Sequence, residues 1–376
     1  MKTFSYVTFL LIFGLFFSCH NDNEDRLLPC KGYPVQINDK KWESSLPLDG
    51  KYPFDVRFFN ENLYLFCSTK NGHDSLIVFN KTTRSYKLFE SKWYYRDYLV
   101  SDPYVYFAIN YPKPMILKLD ISTGETQILV EEEEGKLIKS MQLEGDKLYF
   151  MVGYNNFLTL AKVKIFDLNS HQVTFYHENL NFFRSYIKDF VVWEDDSGLS
   201  HVTYMHNEPT LNMITFEVAN GKIEYKKSIP FDKSYSKGWE RGYHNDMYIS
   251  YRDSISLEQV TKVIDLLTGQ EKFTFGNEVK PVNAKYSRSP ELLIDAVSGT
   301  VILEHKNSVL FKHENNIYMI TGDYNRNIFL VALNLSSNCF EKNFSFNRYD
   351  DVYFDDRTNE MVIISTKNNT ISAYQL

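Results

Sequence analysis

The sequence has few cysteines, no excess of basic residues and almost no long amphipathic helical stretch, and these shortages exclude several classes of protein. Four cysteines occur in 376 residues. Cys19 lies near the N-terminus, and three cysteines follow it: Cys30, Cys67 and Cys339. Their spacing fits no metal-binding pattern, and their odd number excludes a fully paired set of disulfides. The net charge of −7 argues against a general affinity for nucleic acid, which requires a basic surface. We therefore predict no metal, no cofactor and no nucleic-acid partner.

Signature motifs of the common enzyme classes are also missing. The chain has no Gly-x-Ser-x-Gly elbow, no His-Glu-x-x-His and no phosphate-binding loop. His201 and His206 are not expected to be paired ligands, because their spacing places them on opposite faces of a strand. Four aspartates near the C-terminus have the oxygen ligands that calcium uses: Asp350, Asp351, Asp355 and Asp356. Because this segment reads as a hairpin turn, we predict no calcium site, and we name no catalytic residue.

The first 18 residues have the features of a secretory signal. Lys2 precedes the apolar run Phe4–Phe17, which is too short for a comfortable membrane span. The junction Ser18-Cys19 resembles the cleavage box of bacterial lipoproteins, in which the signal is cut before the Cys and the Cys carries the lipid. Phe16 stands where that family usually has Leu. The alternative is an ordinary signal peptide followed by a chance Cys.

A polar, acidic stretch runs from His20 to Asp25, and segments of this composition stay disordered. It resembles the surface-export signal of Bacteroidota lipoproteins. We predict a signal peptide over 1–18, a lipidated Cys19 with a flexible tether over 19–32, and a single folded domain over 33–376. The lipid would anchor the chain in the outer membrane, exposed at the cell surface, with a periplasm-facing position as the alternative.

Aromatic residues make up 16% of the chain, with 27 Tyr and 29 Phe, and they favour β-structure. The segment "ILKLDISTGETQILV" has two short apolar runs around Asp120 and Gly124. Asp or Asn opens such a turn by bonding its own backbone, and Gly supplies the positive φ that closes it. We therefore read it as a turn between antiparallel strands rather than a binding loop. Similar segments recur at intervals of 40, 47, 53, 45 and 69 residues: around Asn80, Asp120, Asp167, Asn220, Asp265 and Asn334.

Seven short aromatic and β-branched runs accompany these turns, and most alternate as half-buried strands do. They are "NLYLFCS", "YVYFAIN", "KLYFMVG", "HVTYMHN", "DMYISYR", "NIYMITG" and "EMVIIST". A four-stranded antiparallel sheet repeated every 40 to 50 residues is typical of an all-β fold, the β-propeller. Seven copies predict seven blades, with Tyr33–Asp39 as the outer strand that completes the last one. Pro281–Asn307 holds an extra hairpin-like piece, either an insertion on blade six or a sign that the count is off by one. Six blades is the main alternative.

A lipoprotein signal followed by a Tyr- and Phe-rich propeller resembles the propeller lipoproteins of Bacteroidota, often described as TolB-like with six blades. The resemblance covers the whole chain, but its motifs are generic. It implies a location outside the cytoplasm and a role in binding or scaffolding. It transfers no catalytic residue, and its usual blade number differs from our count of seven.

A basic residue, usually beside an aromatic, stands near the start of each predicted innermost strand: Arg57, Arg96, Lys139, Arg184, Arg241, Arg288 and Arg348. Trp93 and Trp239 are among the aromatic neighbours. Because the innermost strands of a propeller line its axis, these side chains would converge at one mouth of the channel. Guanidinium groups match planar oxyanions, so the ring would bind an anionic ligand. The alternative is that each Arg pairs with a nearby carboxylate, such as Asp55, Asp97 or Asp350, and links adjacent blades.

We therefore predict a cell-envelope lipoprotein whose propeller is a binding module for a glycan, an anionic small molecule or an envelope protein partner. We expect binding rather than turnover. One alternative is a glycosidase or lyase, which would need paired carboxylates at the axis. Another is a structural scaffold of an envelope complex, which would expose an apolar patch on one face.

Overall fold

The computed structural model describes residues 35–36, 40–69, 73–91, 94–154, 157–180, 190–207, 211–218, 223–229, 236–242, 245–253, 255–281, 285–289, 292–304, 308–313, 316–322, 328–334, 339–346, 350–355 and 357–375. The signal, Cys19 and the tether lie outside these ranges and remain predictions. The described residues form 33 strands in eight sheets. None of them belongs to a helix with the length and hydropathy that a membrane crossing requires.

Strands and sheets are numbered in chain order. Two strands come first: β1 (Val35–Gln36) and β2 (Lys40–Ser45). Sheet 1 contains β3 (Lys51–Phe59), β4 (Asn62–Thr69), β5 (Asp74–Asn80) and β6 (Ser85–Glu90). Sheet 2 contains β7 (Tyr95–Ser101), β8 (Tyr104–Ile109), β9 (Met115–Asp120) and β10 (Thr126–Glu131). Sheet 3 contains β11 (Lys136–Glu144), β12 (Lys147–Tyr154), β13 (Phe157–Asp167) and β14 (Val173–Leu180).

Sheet 4 contains β15 (Phe190–Glu194), β16 (Ser200–Asn207), β17 (Leu211–Glu217) and β18 (Ile223–Ile229). Sheet 5 contains β19 (Ser236–Arg241), β20 (Asp246–Arg252), β21 (Gln259–Asp265) and β22 (Glu271–Phe275). Sheet 6 contains β23 (Lys280–Pro281), β24 (Tyr286–Arg288), β25 (Leu292–Asp295) and β26 (Val301–Glu304). Sheet 7 contains β27 (Ser308–His313), β28 (Asn316–Gly322), β29 (Ile328–Asn334) and β30 (Cys339–Phe346), with β1 beside β30. Sheet 8 contains β31 (Asp350–Asp355), β32 (Glu360–Ser365) and β33 (Thr370–Gln375), with β2 beside β33.

The predicted all-β propeller of four-stranded antiparallel blades is confirmed. Seven of the sheets are four-stranded, and in the described chain sheet 7 alone gains a fifth strand, the short parallel β1. The seven runs recognised in the sequence are the second strands of sheets 1 to 5, 7 and 8. The extra piece within Pro281–Asn307 supplies strands of sheet 6, so it is a sheet of its own and not an insertion on a blade. The six-blade alternative is wrong.

The strand that closes the ring differs from the predicted one. β2, which follows Tyr33–Asp39, is the outer strand of sheet 8 and pairs antiparallel with β33, with Trp42 opposite Ala373. Trp42 is buried, and its ring stacks on Phe79 of sheet 1 at 5.3 Å. This contact places β2, "KKWESS", at the seam, which is the junction of sheets 8 and 1. Trp42, the one large apolar side chain of the strand, fills the space between those two sheets. The first strand, β1, lies instead on the outer edge of sheet 7.

The core is divided among the spaces between successive sheets. β4 is buried on both faces, so Leu65 packs towards sheet 8 while Phe66 packs towards sheet 2. Tyr98 of sheet 2 stacks on Phe66, with ring centroids 3.7 Å apart. Each fully buried Phe or Leu contributes roughly 1.5–3 kcal/mol relative to an exposed side chain. These inter-sheet clusters hold the ring together and fix the inner strands that line the axis.

The turn reading of "DISTG" is confirmed. Asp120 Oδ1 accepts the backbone N–H of Ser122 at 2.7 Å and of Thr123 at 3.2 Å. Gly124 has a φ of +79°, and its N–H donates to the Asp120 carbonyl at 2.8 Å. β9 and β10 pair on either side of this turn. The same aspartate or asparagine bonding occurs at three other predicted markers: Asn80, Asp167 and Asp265. The turns after Asn220 and Asn334 lie outside the described residues.

Two buried polar side chains are structural. In the acidic run 131–134, whose composition predicts a solvated loop, Glu132 is buried, and Lys164 and Lys136 of sheet 3 lie 2.5 and 3.8 Å from its carboxylate. His201 is buried, stacks on Trp193 at 4.4 Å and has Nε2 3.1 Å from Asp195 Oδ2. These contacts link neighbouring strands.

Candidate functional site

A cavity of about 630 Å³ lies where first strands of four sheets converge. Its walls come from the later parts of β3, β7, β11 and β19, so it lies at the axis of the propeller. The axial cavity is lined by Arg57, Phe58, Phe59, Asp97, Tyr98, Leu99, Val100, Ser140, Met141, Gln142, Leu143, Glu144, Glu240 and Arg241.

These four strands share an irregularity near their starts, where one residue is skipped in the pairing with the second strand. The skipped residue is a β-bulge, which re-aims the side chains that follow it. The first paired residues after the bulges therefore define one level along the axis: Asp55, Asp97, Met141 and Gly238. This level allows the heights of the predicted basic residues to be compared.

The described basic residues of the first strands lie at four heights. Arg96 is itself a bulged residue, one position before the common level, and Lys139 lies two positions before it. Arg57 lies two positions after that level and Arg241 three positions after it. At about 3.3 Å per residue, Lys139 and Arg241 differ by about 16 Å along the axis. By strand register these four residues thus stand at different heights, and their convergence on one ligand remains a prediction.

The remaining predicted site residues are placed elsewhere or not described. Arg288 belongs to β24, a second strand, and burial lowers its pKa. Arg184, Arg348 and Trp93 lie outside the described residues, as does the side chain of Trp239. Of the predicted basic residues that the structure describes, Arg57 and Arg241 line the axial cavity. Ligand-binding roles for the set as a whole remain predictions.

Arg57 is held in a fixed orientation at the cavity wall. Its Nε donates to Asp55 Oδ2 at 2.7 Å, and the Tyr98 hydroxyl donates to the same oxygen at 2.6 Å. Asp55 Oδ1 accepts the Val56 N–H at 2.9 Å. Burial, reinforced by the hydrogen bond to Asp55, raises the pKa of Tyr98, so this phenol stays a donor. The Arg57 side chain remains 62% exposed, which leaves the far end of its guanidinium accessible from the cavity.

Arg241 has a different role, because it links sheets. Its Nη1 donates to the Val192 carbonyl of sheet 4 at 2.6 Å and lies 3.5 Å from Glu144 Oε2 of sheet 3. The blade-linking alternative therefore describes Arg241 well, whereas the carboxylate partner of Arg57 is on its own strand. Burial raises the pKa of Glu144, Arg241 opposes that rise, and Glu194 adds to it.

Two further polar side chains brace the cavity walls. Asp97 Oδ2 accepts the Met141 N–H at 2.5 Å, which joins sheets 2 and 3. Gln142 donates to the Phe190 carbonyl and accepts the Val192 N–H at 2.8 Å, which joins sheets 3 and 4. These bonds satisfy backbone groups at the axis and hold the lining in place before any ligand arrives.

The lining carries more acid than base. Asp97, Glu144 and Glu240 supply three carboxylates against the two guanidinium groups. These residues therefore do not form a site for anions alone. The sequence-based search did not select Tyr98, Gln142, Glu144 or Glu240. Polar residues at alternate positions of a first strand were a usable signal for the lining. In "MQLE", Gln142 and Glu144 are two positions apart, so their side chains share one face of the strand.

Within the described ranges, no group of three or more His, Cys, Asp or Glu residues could hold a metal ion. In the C-terminal aspartate cluster, Asp355 binds Lys81 at 2.7 Å and Arg357 at 3.2 Å. Its carboxylate is therefore committed to ion pairs. Cys67 is a free, buried thiol whose pKa burial raises to about 12, as expected of a small apolar side chain.

No family model and no curated protein matches the chain. Among solved structures, it is similar to the computationally designed Ika8 protein, with 14% identity, a TM-score of 0.55 and coverage of 90% of this chain and 100% of that one. It is also similar to a europium-containing methanol dehydrogenase, with 9% identity, a TM-score of 0.51 and coverage of 88% and 86%. A third is the dihydro-heme d1 dehydrogenase NirN, with 11% identity, a TM-score of 0.54 and coverage of 84% and 72%. At these identities the likeness shows the fold alone.

Proposed function

We propose that the chain is a binding module and that its axial cavity takes a small polyhydroxylated ligand, such as the end of a glycan. The observation that carries this proposal is the lining itself. It combines planar hydrogen-bonding groups of both signs, namely Arg57, Glu144 and Glu240, with the aromatic rings of Phe58 and Tyr98. Its volume of about 630 Å³ falls within the range of small-molecule sites.

Sugar hydroxyls both donate and accept hydrogen bonds, so they suit a wall that holds carboxylates as well as guanidinium groups. The C–H faces of a sugar ring are apolar and pack against aromatic rings. A polyanion suits this wall less well, because three carboxylates would repel it. Among the ligands that the sequence left open, the mixed lining thus favours a glycan over a simple anion.

The test is a glycan-array and thermal-shift screen on the chain from Asn21 onward, repeated with Glu240→Trp. The indole would occupy the axial cavity, so we expect every glycan that the wild type binds to be lost. The matched control is Glu258→Trp, the same substitution at an exposed position in the loop between β20 and β21. Absence of any glycan hit, or hits that survive Glu240→Trp, would overturn the proposal and direct attention to protein partners.

A second candidate function, glycoside cleavage, is favoured by one observation. Asp97 accepts a backbone N–H, so two carboxylates of the lining, Glu144 and Glu240, remain to act on a ligand. Burial raises the pKa of Glu144, as a general acid requires. Each glycan hit should therefore be incubated with the protein and its products separated. Cleavage that Glu144→Gln abolishes while binding persists would make the chain an enzyme.

The cellular position is part of the proposal. A lipid on Cys19 would tether the propeller to the outer membrane and present the axial cavity to extracellular glycans. What supports it is the signal-like segment 1–18 followed by the Ser18-Cys19 junction. An envelope protein as partner, or a scaffold role, stays the alternative should the glycan screen fail.

A further inference from the structure

We infer that the ligand of the axial cavity carries a carboxylate and that Arg57 binds it through the free fork of its guanidinium. This inference rests on the proposed function and adds the chemical class of the ligand, an acidic sugar. It also assigns a positioning role to Asp55, which holds Arg57, and to the Tyr98 hydroxyl, which holds Asp55 while the Tyr98 ring lines the cavity.

Arg57 is oriented by a neighbour on its own strand. Asp55 holds its Nε at 2.7 Å, which restrains the guanidinium plane, and the Arg57 side chain as a whole is 62% exposed. A planar fork of two parallel N–H donors matches the two oxygens of a carboxylate, which gives short and strong charge-assisted bonds. Arg57 lines the axial cavity, so such a carboxylate would lie inside it.

Asp55 and Tyr98 support Arg57 from behind. Asp55 accepts the Arg57 Nε–H, the Tyr98 hydroxyl and the Val56 N–H, and Tyr98 is itself fixed by stacking on Phe66 at 3.7 Å. A guanidinium held this way loses little conformational freedom when it binds, and so retains more of its interaction energy as affinity.

The opposite wall of the cavity differs from the side that holds Arg57. Arg241 is occupied by the Val192 carbonyl and Glu144, so it does not offer a free fork. The carboxylates of Glu144 and Glu240 accept hydrogen bonds and would repel a second acidic group. The axial cavity thus has one place for a carboxylate, beside Arg57, and a wall that accepts hydroxyl donors. A sugar acid with its carboxylate at one side meets both conditions.

The experiment compares oligosaccharides that carry a single uronic acid, at one end, with their carboxyl-reduced counterparts, using galacturonate, glucuronate or mannuronate as the acidic residue. We expect the wild type to bind at least one acidic form about tenfold more tightly than its reduced form, since a tenfold ratio corresponds to about 1.4 kcal/mol. Arg57→Ala should abolish this preference with less than about a threefold change for the reduced sugar. Arg57→Lys should retain part of it, because it keeps the charge but not the fork.

The positioning roles have their own readout. Asp55→Asn should lower the acid-over-reduced preference without changing affinity for the reduced sugar, a pattern that a merely destabilised fold would not give. Tyr98→Phe, which removes the hydroxyl and keeps the ring, should lower the same ratio. Thermal unfolding midpoints show whether each variant is folded. The matched control is Arg252→Ala, because Arg252 is an exposed arginine whose Nε also has a single partner, the Leu257 carbonyl at 2.7 Å.

Two results would overturn the inference. In the first, reduced sugars bind the wild type as tightly as the acids do, and Glu240→Trp abolishes both. The axial cavity would then be a site for neutral glycans, and Arg57 would have no role in choosing the ligand. A preference for acids that survives Arg57→Ala would place the carboxylate elsewhere. If neither form binds the wild type, the proposed function itself fails, and this outcome differs from the other two.

Discussion

The Nζ atom of Lys81 lies 2.7 Å from Oδ2 of Asp355, although 274 residues separate the two along the chain. Lys81 follows β5 of sheet 1, Asp355 ends β31 of sheet 8, and both side chains are buried. Glu360 lies 3.6 Å from the same Nζ and 3.0 Å from Lys41 of β2. This ion network therefore spans the seam where the two ends of the chain complete the ring.

Lys81→Met should destabilise the protein by about 3 kcal/mol, because it removes the closer and more buried of the two cations paired with the buried Asp355 carboxylate, leaving Arg357. The measurement is the free energy of unfolding in urea. The control is Lys113→Met, which breaks the exposed pair with Glu131 at 2.5 Å and should cost about 1 kcal/mol or less. Equal losses in both variants would show that the seam pair has no special weight.

The same pair predicts how stability depends on pH. Burial alone would raise the pKa of Asp355, but the hydrogen bonds from Lys81 and Arg357 outweigh it and hold the pKa below the ordinary value of 3.8. A carboxylate with a depressed folded-state pKa contributes stability above its unfolded pKa and loses it as pH falls through the folded value. The contribution of Asp355 should therefore be present at neutral pH and disappear below about pH 4.

Unfolding free energies measured between about pH 5 and pH 2 check this sign. Asp355→Asn cannot titrate, so its stability should fall less steeply than that of the wild type over this range. Identical slopes for the two proteins would mean that other carboxylates account for the acid sensitivity.

Gly124→Ala should cost about 1 kcal/mol of stability, because Gly124 has a φ of +79° that a Cβ disfavours. Space is not the reason, since an added Cβ would meet only Phe89 Cε1, at an ordinary 3.7 Å. Gly276→Ala is the control: its φ lies outside the left-handed region, and a Cβ there meets nothing within 4 Å. A thermal denaturation series should show a loss for the first variant only, and a comparable loss for both would contradict the turn argument.

Cys19→Ala should release the protein from membranes, because a chain without the acceptor thiol cannot carry the proposed lipid. Fractionation of cells that express the full chain measures this, with detergent partitioning as a second readout. Cys30→Ala, a neighbouring cysteine without a preceding signal-like run, should stay with the membrane fraction. Unchanged partitioning of Cys19→Ala would remove the lipoprotein proposal.

Much of the fold was predictable because its signals are local. The apolar run in "NLYLFCS" and the Asp120-to-Gly124 turn depend on side chains a few residues apart, and both the strand and the turn are confirmed. The half-buried alternation expected of that strand is wrong, because β4 is covered on both faces by neighbouring sheets. Sheet 6 was harder to recognise because its strands have only two to four residues, too few for a clear alternation. The closing strand β2 was missed because its pairing with β33 and the stacking of Trp42 on Phe79 are distant in sequence.

The candidate site was predictable only in part. The expectation of a basic axis included Arg57 and Arg241, which line the cavity, and their ligand-binding role stays a prediction. It also placed Arg96 and Lys139 at the same level, whereas the strand register sets them one and two positions before the common level. Bulges decide these heights, and a bulge depends on how one strand pairs with its neighbour. Glu240 was not selected, because nothing local distinguishes a glutamate at the axis from one on a solvated edge.

By itself, the sequence determined the all-β class, the repeated four-stranded unit and the aspartate turns, since composition, alternation and turn chemistry act over short distances. The tertiary structure alone decided which strand closes the ring, which charges meet at the axis and which arginine keeps a free fork. Those outcomes depend on contacts between residues far apart in the chain, such as Lys81 with Asp355 and Tyr98 with Asp55. Local patterns carry no information about which distant side chains will share one carboxylate.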